Sequence, residues 1–183
     1  KKINKNFKNK AVFFDRDGVL NKTILSNESP RSPRRIDEFK LYKSVLKIKD
    51  LREDYKIFII SNQPDIGRKL MKISHLNQMN NKINKLNLFD EIVYCYHKDD
   101  FSCKCRKPKN GMILYLEKKY NLDLGNSFVI GDRWKDIEAG SKSKCNTIFI
   151  DRKYKENSLK KINSTFKCKS LSQALSIIKN FKN

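Results

Sequence analysis

The sequence lacks any long apolar run. No stretch approaches the ~20 consecutive apolar residues of a membrane span, and the lysine-rich start KKINKNFKNK is followed only by AVFF. A run this short cannot form the core of a signal peptide. We therefore expect a cytoplasmic protein without a membrane-spanning segment.

Cysteine is too scarce for a disulfide framework. Only five cysteines occur, an odd number, and three of them crowd between positions 95 and 105. Clustered, reduced thiols suit a metal site better than paired disulfides. Internal repeats and low-complexity linkers are also missing, apart from a polar tail over residues 1–10. The sequence predicts one domain over residues 11–183, of a size that buries about 70% of its unfolded surface.

Acidic residues are outnumbered. The chain has 41 Lys and Arg against 20 Asp and Glu, a formal net charge of +21. Such an excess could mark a face for nucleic acid or for small anionic substrates. Because lysine recurs in every segment, we interpret the charge as a general compositional bias. We do not expect nucleic acid or a membrane to be the partner.

What the sequence does contain is an alternation of apolar runs and helical patterns. The predicted strands cover residues 11–14, 57–60, 91–94, 128–130 and 147–150. The predicted helices cover residues 44–54, 73–86, 111–120, 136–143 and 170–179. This alternation predicts an α/β fold with a mainly parallel sheet, in which ligands bind beyond the carboxyl ends of the strands.

Two aspartates end the first predicted strand, in the segment AVFFDRDGVLN. If the backbone turns after Asp15, its carboxylate and that of Asp17 can approach one small cavity. One carboxylate could attack phosphorus while the other protonates the leaving oxygen and later activates water. A dianionic phosphate would repel the attacking group, so a divalent cation is required, and Mg²⁺ suits oxygen ligands. DRDG alone is equally compatible with an ordinary acidic turn.

Three later segments carry polar side chains after apolar runs. The SNQ segment at 61–63 can hold phosphate oxygens, or simply cap a helix. In CRKPKNG, Lys107 could bridge nucleophile and phosphate and Arg106 could bind substrate, although a solvated basic loop is the alternative. In GDRWKDIEAG, Asp132 could complete a magnesium shell. Asp136 could hydrogen-bond the phosphate-binding lysine or support the metal, or it could only begin a helix.

The order DxDG, SN, lysine and GDRxxD resembles the haloacid dehalogenase phosphatases over roughly residues 11–152. Each motif is weak alone, and their order after successive strands carries the resemblance. The resemblance implies a Rossmann-like three-layer fold. It also implies a phosphatase that forms an aspartyl-phosphate intermediate.

Particular roles follow from this resemblance. It implies that Asp15 is the nucleophile and Asp17 the general acid and base. Ser61 and Lys107 are the implied phosphate ligands. Mg²⁺ is expected on Asp15, on the backbone carbonyl of Asp17 and on Asp132.

Four metal ligands lie close together in the sequence. They are Cys95, His97, Cys103 and Cys105. Two CxC-like pairs at this spacing can close a tetrahedral structural zinc site, with chance clustering as the alternative. Zinc would pin a loop without secondary structure of its own, and so position Arg106 and Lys107, which follow directly.

Together, DRDGVLN, SNQ, the CxH and CxC pairs and CRKPKNGM resemble the D-glycero-D-manno-heptose 1,7-bisphosphate phosphatases and the related histidinol-phosphate phosphatases. The resemblance implies no large cap domain, a zinc-stabilised loop, and substrate contacts from Asn62, Arg106 and Arg133. We expect a monomeric enzyme that removes the 7-phosphate of a heptose bisphosphate in nucleotide-activated heptose biosynthesis. Histidinol phosphate is the alternative substrate, and nucleic-acid binding or end processing is the alternative from another class.

The sequence departs from this pattern near the expected substrate mouth. After SNQ the family often has a small residue and glycine, whereas this chain has PDIG at 64–67. It also has Arg-Trp at 133–134, where some members have lysine and a small residue. Arg31, Arg34 and Arg35 in SPRSPRR could hold a second phosphate or form a solvated basic loop.

Overall fold

The structure is a computed structural model that describes residues 8–26, 29–99 and 102–181. Its strands are β1 (Ala11–Phe14), β2 (Ile24–Ser26), β3 (Ser29–Arg31), β4 (Lys56–Asn62), β5 (Glu91–Cys95), β6 (Phe128–Gly131), β7 (Asn146–Ile150) and β8 (Phe166–Cys168). Its α-helices are α1 (Pro64–Gly67), α2 (Ile73–Asn84), α3 (Gly111–Tyr120), α4 (Trp134–Lys142), α5 (Lys155–Ser158) and α6 (Leu171–Asn180). Lys43–Leu51 and Leu124–Asn126 are 3₁₀ helices.

Six strands form one parallel sheet in the order β5-β4-β1-β6-β7-β8. In its centre, Phe14 at the end of β1 lies opposite Ile59 of β4 and Ile130 of β6. The polar residues that follow these three strands therefore meet at one edge of the sheet, where α/β proteins place their ligands.

Helices cover both faces of the sheet. Val12 and Phe14 point into a core shared with α2, α6 and the first 3₁₀ helix. Ala11 and Phe13 point the other way, into a core shared with α3 and α4. Strand β1 is completely buried, as expected for a central parallel strand covered on both faces. The predicted three-layer α/β fold with a mainly parallel sheet is confirmed.

The five predicted strands are present, and the predicted helix at 111–120 has those bounds. The segment predicted as a helix at 44–54 is instead a 3₁₀ helix. Its buried residues Val45, Ile48 and Leu51 recur every three positions, which matches three residues per turn. The β2–β3 hairpin and β8 were not predicted, because strands of three residues are too short to show a two-residue period.

No large cap domain is inserted among the described residues: only the short antiparallel β2–β3 hairpin lies between β1 and the first 3₁₀ helix. Within the same residues, no helix is long and apolar enough to cross a membrane.

Of the predicted tail at 1–10, residues 1–7 lie outside the described part. The backbone N–H of Asn9 donates to the Asn121 carbonyl at 3.0 Å. The single domain over 11–183 stays a prediction.

Candidate active site

A cavity of about 180 Å³ opens at the carboxyl edge of the sheet, where β1 and β4 end. Its lining includes seven residues selected from the sequence: Asp15, Asp17, Ser61, Asn62, Arg106, Lys107 and Arg133. Asp132 follows β6 and is fully buried. The fold thus brings to one place side chains that are up to 118 positions apart in the sequence, counted from Asp15 to Arg133.

Lys107 is clamped between two carboxylates. Its Nζ lies 2.8 Å from Asp15 Oδ1 and 2.6 Å from Asp136 Oδ1, and it donates to the Ile60 carbonyl at 2.9 Å. Burial alone would lower the pKa of Lys107, but attraction to Asp136 and Asp15 outweighs it and raises that pKa. The lysine is therefore a fixed positive charge beside Asp15.

The carboxylate of Asp15 is buried and lies close to other carboxyl groups. Burial raises the pKa of Asp15 to about 6 against the attraction of Lys107, and repulsion from Asp136 and Asp17 acts in the same direction as burial. Burial and the carboxyl groups around Asp15 thus together disfavour its ionised form more than the Lys107 ammonium favours it. Further positive charge would favour the ionised form of Asp15.

The surroundings of Asp132 fit a divalent cation. Both of its carboxylate oxygens are buried, and among the described residues neither has a hydrogen bond of good geometry; the Tyr154 hydroxyl is the polar neighbour that interacts with them. Oxygens of Asp15, Asp132 and Asp136 lie within 4.8 Å of one another. Burial, followed by repulsion from Asp15 and Asp136, raises the pKa of Asp132 well above its usual range. Clustered, buried carboxylates of this kind are the oxygen ligands that Mg²⁺ prefers.

Gly18 leaves the room that this group of carboxylates needs. Its φ is +88°, and a Cβ on it would lie 1.7 Å from Oδ2 of Asp132. A side chain at position 18 would therefore displace the Asp132 carboxylate. The glycine of DRDG is required both for its turn and for this close approach.

Both carboxylate oxygens of Asp17 accept hydrogen bonds. Arg16 donates to it from Nε and Nη2, both at 3.0 Å, Asn21 donates at 3.0 Å and Gln63 at 2.8 Å. Burial raises the pKa of Asp17, but Arg16 and these hydrogen bonds outweigh burial, so the net shift is downward. In this conformation Asp17 is an ionised base.

Sequence reasoning missed Arg16, which is fully buried. An arginine directly after a strand ordinarily points to solvent, so its type and position gave no signal. Gln63 was also missed as a partner of Asp17. Its place in SNQ was the available signal, because a polar residue after a buried strand falls at the ligand edge.

Asn62 and Ser61 both contact neighbouring site residues. The Asn62 side-chain amide donates to the Lys107 carbonyl and accepts from the Lys107 N–H, each at 3.0 Å. Ser61 is buried, and its Oγ accepts from Gln63 at 3.1 Å. Asn62 thus fixes the backbone of the lysine, which joins β4 to the segment that follows the cysteine cluster.

The four predicted zinc ligands come together. Cys95 Sγ lies 3.8 Å from Cys103 Sγ and 3.4 Å from His97 Nδ1, and Cys105 Sγ lies 3.3 Å from the same nitrogen. All four ligand atoms lie within 4.8 Å of one another, and the cysteines are free thiols. These separations suit the ligand shell of a tetrahedral zinc ion.

Arg106 and Arg133 reach the cavity from different sides. Arg106 donates to the His97 carbonyl at 3.1 Å, which ties it to the cysteine cluster. Arg133 donates to the Pro30 carbonyl at 2.7 Å and pairs with Glu156 at 3.1 Å. Both arginines line the cavity, and the contacts just described hold one part of each guanidinium group in place.

Comparison with known proteins agrees with this geometry. Residues 10–167 match the family described as polynucleotide kinase 3 phosphatase. The D-glycero-beta-D-manno-heptose-1,7-bisphosphate 7-phosphatase of Helicobacter pylori is 31% identical over 184 residues, 93% of this chain and 98% of its own length. The bifunctional histidine biosynthesis protein HisB of Buchnera aphidicola is 35% identical over 158 residues, 82% of this chain and 42% of its own length.

Solved structures give the same result. The D,D-heptose 1,7-bisphosphate phosphatase from B. bronchiseptica, complexed with magnesium and phosphate, superimposes with a TM-score of 0.77 at 25% identity. The match covers 91% of this chain and 98% of that one. The same enzyme from Burkholderia Thailandensis has a TM-score of 0.64 at 20% identity, which supports the fold alone.

Fold and site together define a phosphoric monoester hydrolase of the haloacid dehalogenase type. The chain belongs to the polynucleotide kinase 3 phosphatase family of that superfamily, among the heptose 1,7-bisphosphate phosphatases and the histidinol-phosphate phosphatases related to them. The family inferred from its motifs is confirmed.

Proposed function

We propose that this protein removes the 7-phosphate from D-glycero-D-manno-heptose 1,7-bisphosphate. The observation that carries the proposal is the position of Lys107 Nζ, 2.8 Å from Asp15 and 2.6 Å from Asp136 at the base of the cavity. A positive charge held beside a strand-end aspartate suits attack on a dianionic phosphate. The names of the relatives over nearly the whole chain support the heptose substrate.

In the proposed reaction, an oxygen of Asp15 attacks phosphorus and forms an acyl phosphate as the bond to the sugar oxygen breaks. Asp17 supplies a proton to that oxygen and then takes one from the water that cleaves the acyl phosphate, which restores Asp15 and releases phosphate. Lys107 and Ser61 hold the phosphate oxygens, and Asn62 keeps Lys107 in place.

Asp17 sets a requirement for this reaction. As an ionised base it is ready to activate water, but to protonate the leaving oxygen it must first take up a proton. It must then release at least one of its bonds from Arg16, Asn21 and Gln63. Substrate entry that disturbs these bonds would supply the acid form only when it is needed.

Two metals belong to the proposal. Asp15, Asp132 and the backbone carbonyl of Asp17 would hold Mg²⁺, which would offset the negative charge of phosphate and carboxylates. Zinc on the four-ligand cluster would have a structural role: it would fix the loop that carries Arg106. Free thiols and a zinc cluster suit a reducing compartment, so we place the enzyme in the cytoplasm.

Histidinol phosphate is the second candidate substrate, supported by the likeness to HisB. Its amine would need an unpaired carboxylate in the cavity. Asp65 also lines the cavity, but Arg34 at 2.7 Å and Arg68 at 3.4 Å already neutralise it. The positive surroundings favour a second anionic group over an amine.

A substrate panel with Mg²⁺ tests the proposal. It includes both anomers of heptose 1,7-bisphosphate, histidinol phosphate and a 3′-phosphorylated oligonucleotide. We expect turnover of a heptose bisphosphate, its loss in Asp15→Asn, and normal turnover in the control Asp37→Asn, an exposed aspartate outside the cavity. Equal activity of Asp15→Asn would refute the mechanism. Turnover of histidinol phosphate or the oligonucleotide alone would reassign the substrate.

A further inference from the structure

Five side chains form a row of alternating charges, and all of them except Asp99 line the cavity. They are, in spatial order, Arg34, Asp65, Arg68, Asp99 and Arg106. Arg34 Nε lies 2.7 Å from Asp65 Oδ2, and Arg68 pairs with the other oxygen of Asp65 at 3.4 Å. Arg68 and Arg106 both pair with Asp99. Three arginines against two aspartates leave this row, the arginine rim, with an excess of one positive charge.

Among the three arginines of SPRSPRR, Arg34 is the one suited to a ligand. Arg31 lines the cavity too, but its guanidinium already donates to both Glu38 oxygens and to the Ser32 carbonyl. Arg35 pairs with Asp37 in solvent and does not line the cavity. Arg34 uses only Nε, for Asp65; within the described residues neither Nη atom has a hydrogen-bond partner.

Arg34 is also held in a fixed position. Asp65, which receives its Nε–H, is buried, so the carboxylate cannot easily move away. The backbone N–H of Arg34 donates to Glu38 at 2.8 Å, and His75 Nδ1 lies 3.1 Å from its carbonyl oxygen. With the backbone and Nε fixed, the two free Nη groups have a defined direction, as two-point phosphate recognition requires.

The anchoring aspartate occurs where this chain departs from the family pattern. After SNQ the family often has a small residue and glycine, and glycine has no side chain to hold an arginine. Here Asp65 stands in that place, in the short helix α1. Asp65 thus supplies the carboxylate that holds Arg34 at the cavity.

We propose that Arg34, oriented by Asp65, binds the second, non-reacting phosphate of the substrate and so determines preference for a bisphosphate. The inference rests on the proposed function, because it takes the reacting phosphate to lie at Asp15. Arg34 and Asp15 line the same cavity, so one ligand can contact both. The free Nη groups and the excess positive charge of the arginine rim match a phosphate dianion.

The experiment compares two substrates that share the reacting group: heptose 1,7-bisphosphate and heptose 7-phosphate. For Arg34→Gln we expect KM for the bisphosphate to rise about 10- to 100-fold, the size of a charge-assisted hydrogen bond, with kcat little changed. KM for the monophosphate should stay constant. Arg34→Lys should recover part of the preference, and Asp65→Asn should lose part of it. The control Arg35→Gln should behave as wild type.

A binding measurement separates this inference from the proposed function. In the Asp15→Asn background, which should not turn over substrate, calorimetry gives Kd for both sugars with and without Arg34→Gln. Weaker binding of the bisphosphate alone supports the role of Arg34 even if the wild-type enzyme does not hydrolyse it, an outcome that would overturn only the proposed function. Equal effects on both sugars, or no effect on either, would overturn the inference, provided thermal melting shows a folded variant.

Discussion

The guanidinium of Arg16 donates to both carboxylate oxygens of its neighbour Asp17, each at 3.0 Å. Arg16 is fully buried, with its guanidinium carbon 5.6 Å from the ring centre of Phe39 and 5.9 Å from that of Tyr94. A buried charge so placed is stable only while its partner remains. The pair thus couples the stability of the fold to the position of a predicted catalytic group.

Substitution of Arg16 should therefore destabilise the protein. We expect Arg16→Met to lower the free energy of unfolding by about 3–5 kcal/mol, because it leaves the Asp17 carboxylate buried without its cation. Urea unfolding followed by circular dichroism measures the change. Arg35→Gln, which removes an exposed pair, should leave the free energy of unfolding nearly unchanged. Equal losses in the two variants would contradict the importance of burial.

Asp132 provides a test of the magnesium site without any assay of activity. In metal-free protein, Asp132→Asn removes a buried carboxylate that Asp15 and Asp136 repel and that has no hydrogen bond of good geometry among the described residues, so the melting temperature should stay the same or rise. Wild-type protein should gain stability with Mg²⁺, by about 2.7 kcal/mol at a hundredfold excess over Kd. The variant should lose this gain.

Thermal melting in a MgCl₂ series measures both effects. Asp151→Asn is the control, because Asp151 pairs with the lysines Lys153 and Lys167 away from the cavity. If wild type does not respond to Mg²⁺, or if Asp132→Asn responds equally, the assignment of Asp132 as a ligand is wrong.

The sequence predicted best what depends on apolar runs and their ends. Asp15 and Asp132 could be placed at one edge because each follows a buried strand, and parallel strands bring their ends together. Lys107 was identified by its motif, although it lies outside any strand. Its contacts with Asp15 and Asp136 depend on the loop after the cysteine cluster, which has no periodicity to interpret.

What could not be predicted is the pairing among charged side chains. SPRSPRR contains three arginines of identical chemistry, and only the fold shows their partners. Arg31 pairs with Glu38 and Arg35 with Asp37. Among the described residues Arg34 pairs with Asp65 through Nε alone, so its two Nη groups remain available. Such partners come from residues up to 31 positions away. Local sequence patterns do not contain this information.

Removal of zinc should loosen the loop that carries Arg106. We expect purified protein to hold one zinc per chain, and Cys103→Ser to lose it, because a tetrahedral structural site needs all four ligands. The loss should speed proteolysis between residues 97 and 106 and raise KM, since Arg106 bonds the His97 carbonyl. Metal analysis and limited proteolysis measure these changes. Cys168→Ala, outside the cluster, should keep its zinc.

The stability of the loop that carries Arg34 should also depend on pH, through the carboxylate of Glu38. The Arg31 guanidinium, whose effect exceeds that of burial, and the Arg34 N–H lower the pKa of Glu38 to about 2, below its ordinary 4.5. A lowered pKa in the folded state gives stability that is complete above the unfolded pKa and is lost as pH falls through the folded one. The stabilisation by Glu38 should therefore fade between about pH 4.5 and 2.

Comparison of wild type with Glu38→Gln isolates this contribution. Near pH 6 the variant should be less stable by about 1 kcal/mol, a modest value because the pair is partly exposed. The difference should shrink as the pH is lowered towards 3, since protonation then removes the same charge from wild type. Urea unfolding across this range measures it, with Glu53→Gln, an exposed glutamate, as the control. A constant difference at all pH values would mean that Glu38 acts through packing and not through its charge.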